Sequence, residues 1–336
     1  MSLMVRIGTF NVLNLRAAGR PIYGNPGYTT QAYRGKIAWT AGMLDRMDCQ
    51  LVALQEVFDR AALDDLVASS TSMRDAALVA GPAPDDNANL PRVALVSTLR
   101  PIGEPDWIEE IPPAARVTLP GAPELGLDGI EHTRFSRPVL RVAVDLGGQG
   151  RPEHATTVYV VHLKSRQPKR LERQVDGGRN AEDLGDPAVE ARAHLRALLM
   201  RAAEATGIRL LALEQLHRQR KPVIVLGDFN DHARAITTSI VAGRLSEGDL
   251  ARRDIQLYDA TTLRNPSASK HTLGYTNIHL GEPGTIDHVL VSEEFNRDSR
   301  YSIAEVERVD YLNDHLADAG PLQSDHGAVR VVIRLR

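Results

Sequence analysis

The chain has 336 residues, of which 43% are hydrophobic and 25% are charged, the balance of an ordinary globular protein. Its single cysteine, Cys49, excludes an intrachain disulfide and a cysteine-rich zinc module. The net charge of −3 disfavours a protein that coats duplex DNA by charge alone, and no apolar run approaches the roughly 20 residues that span a bilayer. These features predict a soluble, cytoplasmic protein without a signal peptide, in which residues 1–3 look like remnants of an expression vector.

The first half of the chain alternates strand patterns with helix patterns. Apolar residues recur at helical spacing over 31–47, and a second helix is predicted over 59–69 with Asp59 as its N-cap. Between them lie runs of alternating or continuous apolar residues that are typical of strands. The predicted strands are 5–12, 51–54, 92–97, 139–146 and 156–163.

The second half begins with a charged loop and a long helical pattern from residue 188 to about residue 218, which Gly207 is expected to kink. Three further strands are predicted, at 222–226, 285–292 and 328–335. No repeat of solenoid period and no linker interrupts this order. The pattern predicts a single α/β domain over residues 4–336.

Six predicted strands begin or end at unusual polar groups. In chain order the groups are Thr9-Phe10-Asn11, Leu54-Gln55-Glu56, Val161-His162-Leu163-Lys164-Ser165, Gly227-Asp228-Phe229-Asn230, Thr285-Ile286-Asp287-His288 and Ser324-Asp325-His326. Polar residues at the ends of buried strands commonly converge in a cleft above a sheet. We therefore expect these groups to form one site.

Four of these side chains offer hard oxygen ligands, the kind that Mg²⁺ or Mn²⁺ prefers. They are Asn11, Glu56, Asp228 and Asp325. A metal bound by convergent carboxylates is typical of hydrolysis at a phosphate ester.

The remaining polar side chains suit an anionic substrate. Three of them, His162, Lys164 and His326, can hold a phosphate group. Either Asp287 or Asp325 can fix the tautomer of a histidine. Together with a hard cation, this set indicates metal-assisted phosphoester hydrolysis.

Structural explanations compete at several of these positions. Asn11 is also typical of a turn, Glu56 of a helix entry, and His162 of a hydrogen-bonded core histidine. The basic run over residues 164–173 is most often a solvated loop. At these four places the sequence leaves both interpretations open.

A functional role is favoured at two aspartates and one asparagine. Strand alternation would put Asp228 and Asn230 on one side of the chain, on either side of an apolar Phe229. Asp287 lies inside an apolar strand pattern, where a carboxylate needs a partner. His288 should point to the opposite face and is interpreted as structural.

Two Asp-His pairs compete near the C-terminus. Asp314-His315 lies in a polar loop, whereas Asp325-His326 leads directly into the last strand. A pair anchored on a strand is better preorganised. We therefore select Asp325-His326 and expect the other pair to be loop surface.

In this order, the six groups resemble the endonuclease/exonuclease/phosphatase superfamily, from Asn11 to His326. Each motif is short, but the six in sequence are specific and cover nearly the whole chain. The resemblance implies a DNase-like four-layer α/β sandwich, in which two packed mixed β-sheets are flanked by helices. The active site would lie where the strand ends of both sheets meet.

The resemblance also implies how the metal and the water are held. Glu56 would be the main metal ligand with Asn11 beside it, and Asp325 would complete the metal and hydrogen-bond shell. Asp228 would orient or deprotonate the attacking water, and Asn230 would help to hold it. Asp228 and Asp325 can exchange parts of these roles, and one metal or two remain open.

The same resemblance assigns the phosphate contacts. His162 would contact the scissile phosphate, and Asp287 would brace His326, which stabilises the developing charge. Lys164 and Arg137 are further candidates for phosphate binding. The reaction would be in-line attack by water without a covalent enzyme intermediate.

Within the superfamily, the chain resembles the bacterial extracellular-nuclease-type members most. The predicted function is a Mg²⁺-dependent phosphodiesterase, with Mn²⁺ as a substitute, acting on DNA or RNA and needing no protein partner. The alternatives are a sphingomyelinase-like phospholipid or small-molecule phosphodiesterase, and a non-catalytic binding module. A basic groove around the site would favour a polynucleotide substrate, a closed pocket would favour a small ester, and an apolar rim would favour a lipid. If the basic run binds nucleic acid, neutralising Lys169 and Arg170 should flatten the salt dependence of that binding.

Overall fold

Two six-stranded sheets dominate the computed structural model, which describes residues 3–81, 90–148, 150, 152–176, 178–219, 221–243, 254–265, 274–318 and 320–336. Three two-stranded hairpins accompany them. In chain order the strands are β1 (Met4–Leu15), β2 (Leu51–Val57), β3 (Leu78–Ala80), β4 (Arg92–Ser97), β5 (Asp106–Glu110), β6 (Val117–Leu119), β7 (Ile130–His132), β8 (Arg134–Asp145), β9 (Ala155–His162), β10 (Glu172–Val175), β11 (Gly178–Ala181), β12 (Val223–Asp228), β13 (Leu257–Asp259), β14 (Asn277–His279), β15 (Glu282–Gly284), β16 (Asp287–Ser292), β17 (Ala304–Leu312) and β18 (Ala328–Leu335). The α-helices are α1 (Thr30–Met47), α2 (Arg60–Ser69), α3 (Pro187–Leu213), α4 (Ile236–Ala242) and α5 (Ala260–Leu263).

Both large sheets are mixed. The first has the strand order β17-β18-β1-β2-β4-β3, and the second has the order β13-β16-β12-β9-β8-β5. The pairs β1–β2 and β9–β12 are parallel, and the other pairs in the two sheets are antiparallel. Each parallel pair lies near the middle of its sheet, where the functional strand ends are found.

The two sheets pack face to face on an aliphatic core. Alternate side chains such as Ile7 of the first sheet and Val160 of the second point into this core. The opposite face of the first sheet is covered by α1 and α2, and that of the second by α3 and α4. The four layers confirm the predicted α/β sandwich of two mixed sheets flanked by helices.

The predicted helices are present with small shifts at their ends. Helix α1 begins one residue earlier than predicted because Thr29 caps it, accepting a hydrogen bond from the Ala32 amide at 3.2 Å. Asp59 caps α2 as predicted, through the Ala62 amide. The long helix continues beyond Leu213 as a π-helical segment, Glu214–Gln219.

Several strand boundaries differ from the prediction. Arg137 lies inside β8 rather than before a strand, because the unpredicted strand β5 pairs with the first part of β8. Asp287 is the first residue of β16 and not a mid-strand residue, since the β14–β15 hairpin ends just before it. Strand β17 was not predicted; it is an edge strand that pairs only with β18 in the described residues, and charged side chains interrupt its apolar pattern.

Within the residues that the structure describes, no helix is both long enough and apolar enough to cross a membrane.

Candidate active site

Strand register brings the first three functional side chains together. Asp228 at the end of β12 pairs with His162 of the parallel strand β9 and with Asp287 of the antiparallel strand β16. Neighbouring residues on one rung project to the same face of a sheet, with their Cβ atoms about 5 Å apart. The second sheet therefore presents two carboxylates and an imidazole side by side.

Asn11 connects this rung to the first sheet. Its buried amide nitrogen donates to Asp228 Oδ2 at 3.1 Å and to Glu56 Oε1 at 3.3 Å. Its amide oxygen accepts from the Leu13 amide at 3.1 Å. Asn11 thus presents donors, not its oxygen, to the two carboxylates.

Irregular backbone turns the ends of β1 and β2 toward the cleft. The register shifts between Asn11 and Leu15 on β1, and between Leu54 and Val57 on β2. Glu56 has a φ of 64°, a left-handed value that is unusual for a non-glycine residue. Such strain clusters at functional sites and persists where surrounding contacts fix it. Here the Asn14 amide does so by donating to Glu56 Oε2 at 3.1 Å.

His326 is held by a short hydrogen bond and stays charged. Its Nδ1 lies 2.8 Å from Asp287 Oδ2, and its Nε2 lies 3.9 Å from Asp228 Oδ2. Burial alone would lower the pKa of His326, but the charge and hydrogen bond of Asp287, together with Asp228, raise it well above its usual value. The arrangement favours an imidazolium that faces the cleft.

Asp228 is a carboxyl group that titrates near neutral pH. Burial and the charge of Asp287 raise the pKa of Asp228 to about 7, against the opposing charge of His326. His162 Nε2 lies 3.4 Å from Asp228 Oδ2. Burial, and then Arg137, lower the pKa of His162 well below its usual value. The surroundings therefore favour the neutral form of His162 and the charged form of His326.

Asn230 reaches the site through a turn and not by strand alternation, as the sequence had suggested. Its φ is 52°, and its main-chain amide donates to Asp228 Oδ1 at 2.7 Å. The side-chain amide donates to the Leu163 carbonyl at 3.0 Å. This turn fixes the orientation of the Asp228 carboxylate.

The chemistry of the cluster fits a hard divalent cation. Carboxylate oxygens of Asp228 and Asp287 lie within 4.8 Å of each other and of His326, and all three residues are buried. The two carboxylates would hold the ion, whereas a charged His326 has no lone pair for it. Asp287 Oδ1 has no hydrogen-bond partner among the described residues, a costly state for a buried oxygen that a cation would relieve. Glu56 and Asp325, the predicted ligands, lie on the wall of the adjacent cavity.

A cavity of about 620 Å³ opens over this cluster. Its size is within the range of ligand pockets for small molecules. Besides the residues above, the described lining includes side chains that the sequence analysis did not select. They are Tyr23, Arg166, His232, Asn277, His279 and Glu282.

The two predicted phosphate-binding residues lie in different places. Arg137 lines the cavity, with one guanidinium nitrogen 3.3 Å from the Leu163 carbonyl. The ammonium of Lys164 instead donates to the carbonyls of Ser165 and Gln167. Burial, and then the charge of Arg137, lower the pKa of Lys164 to about 8. The structure therefore brings Arg137 to the site but does not bring the Lys164 ammonium there.

Among the basic side chains of the run over residues 164–173, the cavity wall includes Arg166, which lies between the lining residues Ser165 and Gln167. Arg166 also pairs with Asp231 at 2.7 Å. Arg170 pairs with Glu172 at 3.2 Å on the surface. A sequence pattern could not distinguish these arginines, because the loop path decides which of them faces the cavity.

Two histidines that the sequence analysis placed outside the cluster, His288 and His315, have supporting contacts in the structure. His288 points away from the cleft, as predicted, and lies between Asp259 and the Asp231 carbonyl. His315 is not plain loop surface: it packs on Trp39 at 5.1 Å, and its Nε2 lies 2.9 Å from the His326 carbonyl. The sequence could not show these contacts, because they depend on how α1 and the segment before β18 pack against the loop that carries His315.

The fold and the strand-end cluster define an α/β sandwich with a polar site between its sheets, and the comparison of the sequence with family models identifies its family as one of phosphoester hydrolases. The chain matches the Endonuclease/Exonuclease/phosphatase family over residues 8–326, so it belongs to that family. In sequence, it matches none of the curated proteins.

Solved structures share the fold at low sequence identity. A family protein from Bacteroides thetaiotaomicron superposes with a TM-score of 0.57 at 15% identity, covering 100% of this chain and 99% of that one. The human Nocturnin catalytic domain with bound sulfate gives 0.56 at 15% identity, covering 100% and 97%. A mannosyl-6-phosphatase from Bacteroides thetaiotaomicron gives 0.52 at 16% identity, covering 98% and 99%. These likenesses support the DNase-like fold of this phosphoesterase family.

Proposed function

We propose that this protein is a divalent-metal-dependent phosphodiesterase that hydrolyses DNA or RNA by direct attack of water. The observation that carries the proposal is the buried group of Asp228, Asp287 and His326, joined by Asn11 to Glu56 of the other sheet. Because both sheets supply side chains to one centre, we treat residues 4–336 as one catalytic domain.

Asp228 is the best candidate for the base that receives a proton from water. A general base is most effective when its pKa lies near the working pH, and the pKa of Asp228 is raised to about 7. The Asn230 amide and the Asn11 side chain fix the orientation of the carboxylate. In this role Asp228 holds the water in line with the phosphorus.

The two histidines have different roles at the phosphate. His326, kept cationic by Asp287, stabilises the negative charge that develops on the phosphoryl oxygens. His162 is neutral and is the second group that faces Asp228. In this proposal it would donate a hydrogen bond to a phosphate oxygen without adding a positive charge to the site.

Hard oxygens from both sheets would hold the metal. Glu56 and Asp325 line the cavity beside Asp228 and Asp287, and Mg²⁺ or Mn²⁺ suits such a set. Bound there, the ion would neutralise charge on the phosphate. Asn11 orients two of the carboxylates through its amide hydrogens.

The cavity walls supply contacts for a nucleotide. Arg137 and Arg166 present guanidinium groups, which bind phosphate oxygens in bidentate fashion. Tyr23, half exposed at the cavity, offers a ring for base stacking. A cavity of about 620 Å³ fits a strand end or a short segment better than a long duplex groove.

A phospholipid phosphodiesterase is the second candidate, and one observation favours it. The β14–β15 hairpin at the cavity carries Leu280 with 92% of its surface exposed, next to Ile278 at 38%. Exposed apolar side chains at the rim of a site are a common feature of surfaces that contact lipid. The same cavity is also large enough for a small phosphate ester.

A substrate panel separates these candidates. Single-stranded DNA, duplex DNA, RNA, a dinucleotide and sphingomyelin vesicles are incubated with Mg²⁺ or Mn²⁺, with Asp228→Asn as the inactive control. We expect cleavage of nucleic acid by the wild-type protein only. Hydrolysis of vesicles alone would support the lipid candidate, and no hydrolysis of any phosphodiester would contradict the proposal.

Two matched pairs of variants test the nucleic-acid and lipid candidates separately. For nucleic acid, Arg166→Gln should weaken binding and flatten its salt dependence, whereas Arg170→Gln, whose arginine pairs with Glu172, should not. For lipid, Leu280→Asp should abolish vesicle hydrolysis, whereas Ile236→Asp, an exposed residue outside the cavity lining, should not. Unchanged nuclease activity in Leu280→Asp is expected under the nuclease proposal.

A further inference from the structure

Glu204 is a buried carboxylate of α3 that the proposed chemistry does not use. It is 1% exposed and is not among the described residues that line the cavity. Its Oε1 accepts from the main-chain amide and the hydroxyl of Ser136, at 2.9 and 2.5 Å, and its Oε2 accepts from the Lys164 amide at 2.7 Å. Hydrogen bonds to an ionised carboxylate are about twice as strong as those between neutral groups. Glu204 therefore joins two separate segments of the chain firmly.

Both of these segments adjoin Arg137. Ser136 precedes Arg137 on β8, and a guanidinium nitrogen of Arg137 lies 3.3 Å from the Leu163 carbonyl. That carbonyl and the Lys164 amide belong to the same peptide unit, which is planar, with its N–H and C=O pointing in opposite directions. Glu204 thus fixes one end of the peptide whose other end binds the guanidinium.

A second buried side chain of α3 supports the same segment. Arg201, three residues before Glu204, is 6% exposed and donates to the carbonyls of Lys164 and Ser165 at 3.2 and 3.3 Å. Successive main-chain groups after β9 are therefore bonded to one helix. A change at that helix would move the carbonyl that holds Arg137.

We propose that Glu204 is a positioning residue that places the Arg137 guanidinium for the substrate phosphate. This inference rests on the proposed function, in which Arg137 binds phosphate oxygens. Arginine has a long side chain that loses rotamer freedom when it binds a ligand, so an arginine that is fixed beforehand binds phosphate more tightly. Glu204 acts through Ser136 and the 163–164 peptide and does not itself touch the substrate.

A double-mutant cycle tests this inference. The parameters kcat and KM for bis-p-nitrophenyl phosphate are measured at saturating Mn²⁺ for wild type, Glu204→Gln, Arg137→Gln and the double variant. Glutamine keeps the volume of glutamate but has a single acceptor oxygen, so one of the two bonded amides loses its partner. Ser136→Ala, which removes only the hydroxyl bonded to Oε1, is a milder second variant should Glu204→Gln not fold.

The matched control is Glu182→Gln. Glu182 is also buried, accepts from the Leu171 amide at 2.9 Å and pairs with Arg196, but it is not among the described residues that line the cavity. Its substitution should lower the stability of the protein. It should leave KM within about twofold of the parent protein, with or without Arg137, because distant sites act independently.

The expected signature is a change in KM that depends on Arg137. Arg137→Gln should raise KM about tenfold with kcat within about threefold of wild type, because a contact made equally in the ground and transition states appears in KM. Glu204→Gln should raise KM about three- to tenfold, and Ser136→Ala should raise it less. In the Arg137→Gln background, either substitution should change KM by less than about twofold.

The same increase in KM with and without Arg137 would overturn the inference, since a merely structural loss adds to the loss of Arg137. A fall in kcat with unchanged KM would overturn it as well. Binding of inorganic phosphate in the presence of Mg²⁺, measured by isothermal titration calorimetry on the same proteins, separates the inference from the proposed function. Phosphate binding without hydrolysis of any phosphodiester would contradict the function, and the dissociation constants of the cycle would then decide the inference. A wild-type protein that binds no phosphate would overturn the inference.

Discussion

One carboxylate oxygen of Asp287 is hydrogen-bonded to His326, and the other has no hydrogen-bond partner among the described residues. It makes His326 a cation, so its charge matters more than its shape. Asp287→Asn keeps the volume but no longer favours the charged ring, and the pKa of His326 should fall. We expect kcat for bis-p-nitrophenyl phosphate to drop about 10²- to 10⁴-fold, with a small change in KM.

The control for this variant is an Asp-His pair outside the cavity lining, Asp259 with His288. Asp259→Asn alters the partner of His288, which lies outside the cavity lining, and should leave kcat within about twofold of wild type. A wild-type kcat in Asp287→Asn would contradict the role given to His326. Steady-state kinetics at saturating Mn²⁺ makes the comparison.

At this scale the sequence predicts the residues at strand ends and misses those on loops. Asp228 and Asp287 could be selected because a carboxylate inside or at the end of an apolar strand pattern needs a compensating partner. Tyr23 and His279 could not, since loop and hairpin paths decide whether they face the cavity.

At the scale of elements, a fully buried ion pair between Arg196 and Glu182 joins α3 to the loops around it. Arg196 is 0% exposed and contacts both carboxylate oxygens of Glu182 as well as the carbonyls of Pro120 and Gly121. The Leu171 amide also donates to Glu182 at 2.9 Å. The pair holds the base of the β10–β11 hairpin against the helix.

Removal of Arg196 leaves the buried Glu182 carboxylate with the Leu171 amide and, at 3.6 Å, Arg192 as its remaining partners. Arg196→Met should lower the free energy of unfolding by about 3–5 kcal/mol in urea titrations. The control is Arg60→Met, which removes an exposed i,i+4 pair with Asp64 and should cost less than about 0.5 kcal/mol. Equal effects of the two substitutions would contradict the structural role of Arg196.

Elements with a strong local pattern were predicted well, and those defined by partners were not. Helix α2 has its cap and its apolar spacing in its own sequence, so it could be predicted with its first residue. Strand β17 and the β14–β15 hairpin are formed by pairing with neighbours, and their charged or short sequences carry little periodic signal. The extension of β8 over Arg137 likewise depends on β5.

At the scale of the whole molecule, the pH dependence of stability has a source outside the active site. His288 lies between Asp259 and the Asp231 carbonyl behind the Asp228 turn. Although burial opposes it, the hydrogen bond and charge of Asp259 raise the pKa of His288 above 6.5. The pKa of Asp259 is lowered from 3.8 despite its burial, by the hydrogen bond and charge of His288.

These shifts fix the sign of the effect. The contribution of His288 is complete below pH 6.5 and is lost as the pH rises through its raised pKa. The contribution of Asp259 is present above pH 3.8 and is lost as the pH falls through its lowered pKa. The difference in unfolding free energy between wild type and Asp259→Asn should therefore be larger at about pH 6 than at about pH 9. Urea titrations at the two pH values test this, and a difference that grows with pH would contradict it.

The overall architecture was predictable because six polar groups mark the strand ends of both sheets. Asn11 on the first sheet and Asp228 on the second meet at 3.1 Å, although 217 positions separate them. Their order along the chain indicated the family and its sandwich. The shape of the cavity was not predictable, since it depends on loops whose positions follow from packing and not from periodicity.

The most direct test of the account is metal-dependent hydrolysis of bis-p-nitrophenyl phosphate by the wild-type protein and by Asp228→Ala and Glu56→Ala. The two residues come from different sheets and meet only in the folded site, where Asn11 contacts both. We predict hydrolysis that requires Mg²⁺ or Mn²⁺, stops on addition of EDTA, and is abolished in both variants while their unfolding remains cooperative. Hydrolysis that persists in EDTA, or that survives either substitution, would contradict the account.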